Sequence, residues 1–265
     1  MIYDSSLTVQ TYYVYIIGMS ELIYYDLKRS ATMSPSLSVQ VARELGRRIV
    51  AGSYECGSLI DDELALAERY QVSRVVIRDA VKILVGKGLL DVRRGIGTRV
   101  RPRNQWILLD DDVLAWHLSA PPNPDFLNQL MEIRLAFEPK AARWAAERAT
   151  IEDLSEIEAA CERMGAEQGT SEDFIIADSL FHRAVIKAAH NGFLTAMEGV
   201  IYSALLVSIR VTNKDPRENG ASVPFHREVY EAIAARDGDL AERLTEKLLS
   251  DASRRLGGGS IQCSN

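Results

Sequence analysis

Residues 73–84 read SRVVIRDAVKIL, a stretch that combines a helix cap with two chemically different faces. Ser73 is a favourable N-cap, because its hydroxyl can accept a hydrogen bond from a backbone N–H of the first turn. The predicted helix carries apolar residues on one side, namely Val76, Ala80, Ile83 and Leu84. Arg74, Arg78 and Lys82 recur every fourth residue on another side. Such a basic face suits the groove of a polyanion.

Two further helices are predicted upstream of this stretch. Apolar residues recur at helical spacing over 37–50. Asp61 or Asp62 then caps a short second helix, in which we expect Leu64 and Ala67 to face inward. A tight corner leads from this helix into the basic one, so the order of elements is that of a helix-turn-helix.

The segment that follows predicts a β-hairpin. Residues 89–93 and 98–101 resemble two short strands in composition, and Arg94-Gly95-Ile96-Gly97 between them forms a basic turn. This order predicts a winged helix-turn-helix over residues 36–103, whose third helix enters the major groove of double-stranded DNA. The expected DNA contacts are Ser73, Arg74, Arg78, Arg93, Arg94, Gly95 and Gly97. The alternative is that these arginines form only a solvated surface.

Charge is distributed unevenly along the 265 residues. Residues 36–103 contain 13 Lys and Arg against 8 Asp and Glu, whereas residues 104–265 contain 16 against 26. Phosphate contacts supply most non-specific DNA affinity. The uneven charge therefore favours the first segment alone as the part that binds nucleic acid.

Cysteine content and hydropathy indicate the compartment. The three cysteines, Cys56, Cys161 and Cys263, are too few and too scattered for a disulfide framework. The apolar run 12–19 is too short to cross a membrane. We therefore expect a cytoplasmic protein without a membrane partner.

The remainder of the chain predicts an all-α helical bundle. Residues 104–124 have the composition of a linker that contains a short bridging helix. Helical periodicity without strand-like alternation follows over 125–149, 151–167, 171–189, 191–213, 222–236 and 238–256. The fold class is thus mainly α, with an N-terminal winged helix-turn-helix and a bundle over 125–256. We expect residues 1–35 to be a disordered extension or an upstream translation artefact, and residues 257–265 to be a flexible tail.

Asp178 and His182 lie four residues apart in a predicted helix, so both project from one face. With His226 from another helix they would offer one oxygen and two nitrogen ligands to a divalent metal ion such as zinc. The alternative is that the histidines form hydrogen bonds within the core. A metal-dependent helical-bundle enzyme would use the same residues, although the chain shows no nucleophile–base motif, phosphate loop or dinucleotide fingerprint.

Arg134 lies among apolar residues of the predicted helix 125–149 and needs an anionic partner, because a buried unpaired guanidinium is unstable. Glu138, one turn further on, could form a purely structural pair with it. The partner could equally be the carboxylate of an organic-acid effector, held bidentately. The candidate effector-binding set is Arg134, Asp178, His182 and His226.

A set of spaced residues runs through the predicted DNA-binding segment: Gly52, Gly57, Leu59, Leu66-Ala67, Val72-Ser73-Arg74, Ile77-Arg78, Ala80, Leu84, Gly88-Leu89-Leu90 and Gly95-x-Gly97-Thr98-x-Val100. Together they resemble the N-terminal signature of the GntR family of bacterial regulators. Cys56 departs from it by replacing a usual proline, and Leu64 stands where some members have a DNA-contacting arginine. The resemblance implies a transcriptional regulator. A single helix-turn-helix binds weakly, so we expect a homodimer on operator DNA.

The later motif Ala177-Asp178-x-x-Phe181-His182-x-x-Val185-Ile186 resembles the effector (FCD) domain of the FadR-type branch of this family. That resemblance implies a metal held by Asp178, His182 and His226, and an Arg134 that faces the ligand. The usual fourth metal ligand falls at Leu248. Either a three-ligand site or a metal-free pocket is therefore expected.

Three further stretches, 103–106, 109–116 and 138–150, resemble members of this branch that repress sugar-acid catabolism. The resemblance implies a small sugar-acid effector, D-galactonate or a relative. We expect its binding to release the repressor from its operator.

Overall fold

The computed structural model describes residues 35–120, 123–166, 171–199, 202 and 220–258. The chain divides into two compact units, Met1–Pro121 and Pro122–Asn265, each of which is described by itself. Residues 1–34 of the predicted extension and 259–265 of the predicted tail lie outside the described residues.

The first unit is a three-helix arrangement with a hairpin and a fourth helix. Its elements are α1 (Leu37–Val50), α2 (Glu63–Tyr70), α3 (Arg74–Gly86), β1 (Leu90–Arg93), β2 (Gly97–Val100), a 3-10 turn (Arg103–Gln105) and α4 (Asp111–Ser119). The helix α3 packs against α1 and α2 and leads into β1. Their buried apolar side chains form one continuous core. The expected winged helix-turn-helix is therefore confirmed.

The short helix α2 turns a different face to the core from the one predicted. Asp62 is the N-cap, and its Oδ1 accepts hydrogen bonds from the backbone N–H groups of residues 64 and 65 at 2.9 Å. This phase buries Leu66 and Ala67, while Leu64 is 55% exposed. The expectation that Leu64 faces inward was wrong, because α2 packs against α3 with the face that carries Leu66 and Ala67.

The hairpin lies where the sequence predicted it, and each strand end is within one residue of its expected position. Leu90 pairs with Val100 and Arg93 with Gly97, in an antiparallel ladder. Gly95 and Gly97 in and beside the turn have φ of 78° and 119°, values that L side chains rarely adopt. The backbone conformation of the turn therefore favours glycine at both positions.

The helix α4 lies in the segment 104–124, predicted as a linker with a short bridging helix, and packs in the first unit. Trp116 is fully buried in the core of this unit, and a Cβ at Gly46 would overlap its ring. Lys87 at the end of α3 forms ion pairs of 2.7 Å with both Asp110 and Asp112. These contacts explain why the predicted linker carries an ordered helix.

The second unit is helical throughout its described residues. Its elements are α5 (Pro124–Arg148), α6 (Ile151–Ala166), α7 (Ser171–Ala188), α8 (Gly192–Ala196), a 3-10 turn (Gly220–Ser222), α9 (Val223–Ala234) and α10 (Gly238–Gly258). The long helix α5 packs against α10, α7 and α9, and α6 packs against α7 and α9. Alanines dominate the contact layer, which lets the helices approach closely.

Asparagine caps mark two helix starts of this unit. Asn123 caps α5, and Asn191 caps α8 with its side-chain oxygen. Met197 ends α8, so the predicted helix 191–213 is interrupted there, and most of its later residues lie outside the described ones. At the other end of the bundle, α10 continues to Gly258, two residues into the predicted tail.

Candidate functional site

The helix α3 presents its arginines to solvent. Ser73 caps the helix, with its Oγ 3.4 Å from the backbone nitrogen of Val76. The side chains of Arg74 and Arg78 are 58% and 55% exposed. Both reach the same carboxylate oxygen of Glu63 on α2, at 3.5 and 2.8 Å respectively. The basic face predicted from the sequence therefore exists as a surface.

The wing carries the remaining predicted DNA-contact residues. Arg93, Arg94, Gly95 and Gly97 are all exposed. Arg93 is held by Asp91 of the same strand, with 2.9 Å between its Nε and the carboxylate. Exposed guanidinium groups on a helix face and on a hairpin can meet phosphates and base edges of duplex DNA. We call the exposed side chains of α3 and the hairpin the basic face.

The second unit brings three predicted ligands together. Asp178 and His182 lie on α7 and His226 lies on α9, and all three are buried. One donor atom from each lies within 4.8 Å of the other two. We call these residues the Asp-His-His cluster.

Each histidine of the cluster is oriented by an acceptor behind it. The Nδ1 of His182 is 2.5 Å from the Glu138 carboxylate, and the Nδ1 of His226 is 2.8 Å from the carbonyl oxygen of Ser222. Both Nε2 atoms are thereby left on the side of Asp178, at 3.4 and 2.9 Å from its Oδ1. A histidine that binds a metal through one nitrogen usually donates its other N–H in this manner.

Two buried atoms of the cluster lack a hydrogen-bond partner. Oδ1 of Asp178 and Nε2 of His226 are only 2.9 Å apart, yet the two atoms are not aligned as a hydrogen bond, and neither forms another one among the described residues. A buried polar atom without a partner is unfavourable. Carboxylate oxygen and imidazole nitrogen are the donors that zinc and similar divalent ions bind. The residues therefore fit a metal ion.

The charges of the cluster are strongly coupled. Burial alone would raise the pKa of Glu138, but the positive charges of Arg134 and His182 beside it lower that pKa to about 2. For Asp178, burial is likewise outweighed by the two histidines, which hold its pKa well below its ordinary value. Burial disfavours the charged His182, yet the two carboxylates raise its pKa to about 9. In the absence of a metal, the raised pKa favours the protonated form of His182 between Glu138 and Asp178.

Arg134 is paired within the chain. Its Nε donates to Glu138 at 2.6 Å, and both side chains are 3% exposed. The structure thus contains the Arg134–Glu138 pair, one of the two partners that the sequence left open. Glu138 in turn holds His182, so Arg134 connects to the Asp-His-His cluster through it. No spacing rule joins residues 138 and 182, and this contact was missed from the sequence.

A small pocket opens beside the cluster. Its volume is about 10 Å³, and it is lined by Glu138, Phe181, His182, Val185, Ile186, Val229, Thr245 and Leu248. Leu248, at the expected position of a fourth metal ligand, contributes an apolar wall instead. The edges of Phe181 pack against the rings of both His182 and His226. The pocket's polar floor and apolar walls match the lining of small-molecule sites, whereas its volume is that of about one water molecule.

Comparisons with known proteins assign both units. Residues 37–100 match the family described as bacterial regulatory proteins, gntR family, and residues 129–251 match the FCD domain. The galactonate operon transcriptional repressor of Escherichia coli strain K12 is 38% identical over 80% of this chain and 93% of its own length. The HTH-type transcriptional regulator LutR of Bacillus subtilis strain 168 is 31% identical over 72% of this chain and 88% of its own.

A solved structure shares the fold. It is described as Lar, which controls the expression of the Listeria monocytogenes agr system, and it matches with a TM-score of 0.62 at 18% identity, over 86% of this chain and all of its own. Within the described ranges, no helix is long and apolar enough to cross a membrane.

The relatives are regulators of transcription, which leaves the metal-dependent enzyme without support. The matched segments coincide with the winged helix-turn-helix and with the bundle that holds the Asp-His-His cluster. The chain belongs to the GntR family of bacterial regulators and is a DNA-binding transcriptional regulator with a C-terminal FCD domain.

Proposed function

We propose that this protein represses genes of sugar-acid catabolism and leaves its operator when a small sugar acid binds to the FCD domain. The observation that supports this most is the 38% identity to the galactonate operon transcriptional repressor, which extends over both units. The basic face binds the operator through Arg74, Arg78 and the wing residues Arg93 and Arg94. The protein acts in the cytoplasm as a homodimer, because two half-sites are needed for a tight and specific complex.

The Asp-His-His cluster holds a divalent metal ion in this proposal. Such an ion supplies positive charge and coordination positions for ligand oxygens. Asp178 and the Nε2 atoms of His182 and His226 bind it, and Glu138 and the Ser222 carbonyl keep both histidines in the required tautomer. Leu248 offers no donor atom, so part of the coordination shell is left for water or for the effector.

Charge favours an anionic effector at this site. When His182 and His226 are neutral, the negative Asp178 and Glu138 and the positive Arg134 sum to one negative charge. A divalent ion reverses that sum to one positive charge, which a single carboxylate neutralises. A buried site with an unbalanced charge is unfavourable, so a monocarboxylate is the ligand that the metal-loaded site fits.

In the proposal, Arg134 acts on the effector site through Glu138, which it pairs with and which in turn holds His182. The pocket has to widen to admit a sugar acid, whose hydroxyls then meet Thr245 and the metal at its polar floor. The effector needs to prefer one arrangement of the regulator by only about 1–3 kcal/mol to change operator affinity roughly 5–150-fold.

The test is a titration of D-galactonate and related sugar acids into the metal-loaded full chain by calorimetry, with and without operator DNA. We expect one acid to bind at one site per chain and to lose affinity by the same factor with which it weakens DNA binding. Arg134→Gln should weaken binding of the acid. Arg227→Gln, on the exposed side of α9, should leave that binding unchanged. Equal binding of all acids to wild type and Arg134→Gln would contradict the effector site but leave DNA binding intact.

A further inference from the structure

We propose that Glu63 determines the DNA specificity of this regulator by holding Arg78 in the orientation that reads a base. The inference rests on the proposed DNA-binding face. Glu63 is the first residue of α2, so it belongs to the helix that precedes α3. The inference assigns a role in DNA binding to Glu63, an acidic residue within the basic face.

The contact between the two side chains is made through one edge of the guanidinium. The Nε of Arg78 donates to Oε2 of Glu63 at 2.8 Å. Its two terminal nitrogens have no partner in the part of the chain that the structure describes, and the side chain is 55% exposed. Glu63 thus holds the guanidinium from the side and leaves its terminal N–H groups available.

This arrangement suits bidentate recognition. Guanine presents O6 and N7 in the major groove, and an arginine that approaches with two N–H groups bonds both. A free arginine side chain loses much rotamer entropy when it is fixed in that geometry. Because Glu63 already fixes Arg78 in the absence of DNA, less of that entropy is lost when the protein binds its site. The carboxylate therefore favours the specific complex.

The same carboxylate disfavours non-specific complexes. Non-specific affinity comes from positive charge close to phosphates. Glu63 accepts from Arg74 as well, at 3.5 Å, and so its negative charge lies beside both arginines. A duplex that offers no guanine at the right place gains little from the fixed Arg78 and meets the repulsion of Glu63. Both effects raise the ratio of specific to non-specific affinity.

Because Glu63 lies at the surface, its contact with Arg78 contributes little to stability. An ion pair between side chains as exposed as these contributes little to the free energy of unfolding. Another glutamate of the same helix, Glu68, is exposed and serves as a matched control for the loss of one charge from α2.

The experiment begins by selecting duplexes from a randomised library with the wild-type full chain. Wild type, Glu63→Gln, Arg78→Ala, the double variant and Glu68→Gln are then titrated with the selected duplex and with a shuffled duplex of equal length. Selection is repeated with each variant to record its base preferences. Thermal melting is measured in parallel.

We expect Glu63→Gln to lower the ratio of specific to shuffled affinity about tenfold, within the roughly 5–150-fold range of one bidentate base contact. It should relax the preference at the same base pair as Arg78→Ala, and in the Arg78→Ala background it should have no further effect on that base preference. Glu68→Gln should leave the ratio unchanged. If Glu63→Gln fails to fold, Glu63→Asp takes its place, since the shorter side chain cannot reach Nε and should give the same loss.

A Glu63 variant that binds both duplexes more tightly by one factor, with its base preferences intact, would overturn the inference, because Glu63 would then act only through its charge. Additive effects of Glu63→Gln and Arg78→Ala would overturn it as well, because the two side chains would then act independently. If the wild-type chain enriches no sequence at all, the proposed DNA-binding function itself fails, and that outcome is distinct from the first two.

Discussion

The two units each contain an arginine that is paired with a glutamate, and the pairs differ in burial. Arg78 and Glu63 are 55% and 36% exposed, whereas Arg134 and Glu138 are each 3% exposed. The Nε to carboxylate distances are similar, at 2.8 and 2.6 Å. The hydrogen-bond distances therefore do not distinguish the pairs, and their difference is exposure to solvent.

Water decides what each pair can do. The exposed pair is screened and contributes little to stability, and the terminal N–H groups of Arg78 can bind DNA while its Nε keeps the contact with Glu63. The buried pair has lost its hydration, and removing one partner leaves the other charge unsatisfied in the core. Arg78 is therefore available to an external ligand, and Arg134 belongs to the framework that orients His182.

The largest expected difference between the two pairs is the loss in free energy of unfolding when each arginine is replaced by alanine. Arg134→Ala leaves Glu138 buried beside the cluster without its main positive neighbour, and we expect the free energy of unfolding to fall by about 3–5 kcal/mol. Arg78→Ala should change it by less than about 1 kcal/mol. Urea denaturation of the metal-free proteins, followed by circular dichroism, measures both.

The double variant Arg134→Ala with Glu138→Gln is the matched control for the buried pair. It removes the charge that Arg134→Ala leaves unpaired, so part of the lost stability should return. Equal losses for Arg134→Ala and Arg78→Ala would show that burial does not distinguish the pairs.

The exposed half of this comparison was accessible from the sequence. The N-cap at Ser73 and the four-residue spacing of Arg74 and Arg78 define a face by local periodicity alone, and the structure places those side chains at the surface. Where local reasoning failed, as at Leu64, the helix has only eight residues, and its apolar spacing did not decide which face meets the core.

The buried half depends on contacts that no local pattern encodes. Asp178 and His182 share a helix face, so their proximity was predictable, but Glu138 meets His182 only because α5 packs against α7. Likewise, the predicted linker gave no sign that Trp116 fills a space left open by Gly46. Tertiary packing decides both, and periodicity within one element carries no information about it.

Metal binding is the next largest expected difference between the units. The full chain, purified without a histidine tag, should contain near-stoichiometric divalent metal, and His182→Ala should weaken its binding by more than about 100-fold because a ligand is lost. Glu138→Gln should weaken it about 10–100-fold, since it removes only the acceptor that orients His182.

His190→Ala is the matched control for this experiment. His190 also contacts a carboxylate, that of Asp153 at 2.7 Å, but it lies outside the Asp-His-His cluster. Elemental analysis and competition with a chelating dye measure metal content and affinity. If wild type lacks metal under metal-replete conditions, the cluster is a hydrogen-bonded core, the alternative that the sequence left open.

The pH dependence of stability should be opposite for the metal-free and metal-loaded proteins. In the metal-free chain the pKa of His182 rises from 6.5 to about 9 on folding, because Glu138 and Asp178 outweigh its burial. Its contribution is therefore complete below about pH 6.5 and is lost as the pH rises through 9, a decrease on the order of 1–3 kcal/mol. Metal binds the neutral imidazole, so the loaded protein should gain stability over the same range.

Chemical denaturation at several pH values between 6 and 9 tests the sign of both slopes. His182→Gln, which cannot titrate there, should flatten them. The depressed pKa values of Glu138 and Asp178 keep these carboxylates ionised throughout this range, so they add no slope of their own. A metal-free protein whose stability rises with pH would contradict the protonated state of His182.

The smallest expected effect lies on the wing, at Arg94. This side chain is exposed and forms no ion pair among those of the described residues, so its charge is available to a phosphate. A phosphate contact carries no base information. Arg94→Ala should therefore weaken the selected and the shuffled duplex by the same few-fold factor and reduce the salt dependence of binding by about one counterion. Arg78→Ala, by contrast, should act mainly on the selected duplex.

Anisotropy titrations at several salt concentrations distinguish the effects of Arg94→Ala and Arg78→Ala. Lys187→Ala in the second unit is the control for the loss of one exposed charge. A loss confined to the selected duplex would assign Arg94 to base reading, and the wing would then share the role proposed for α3.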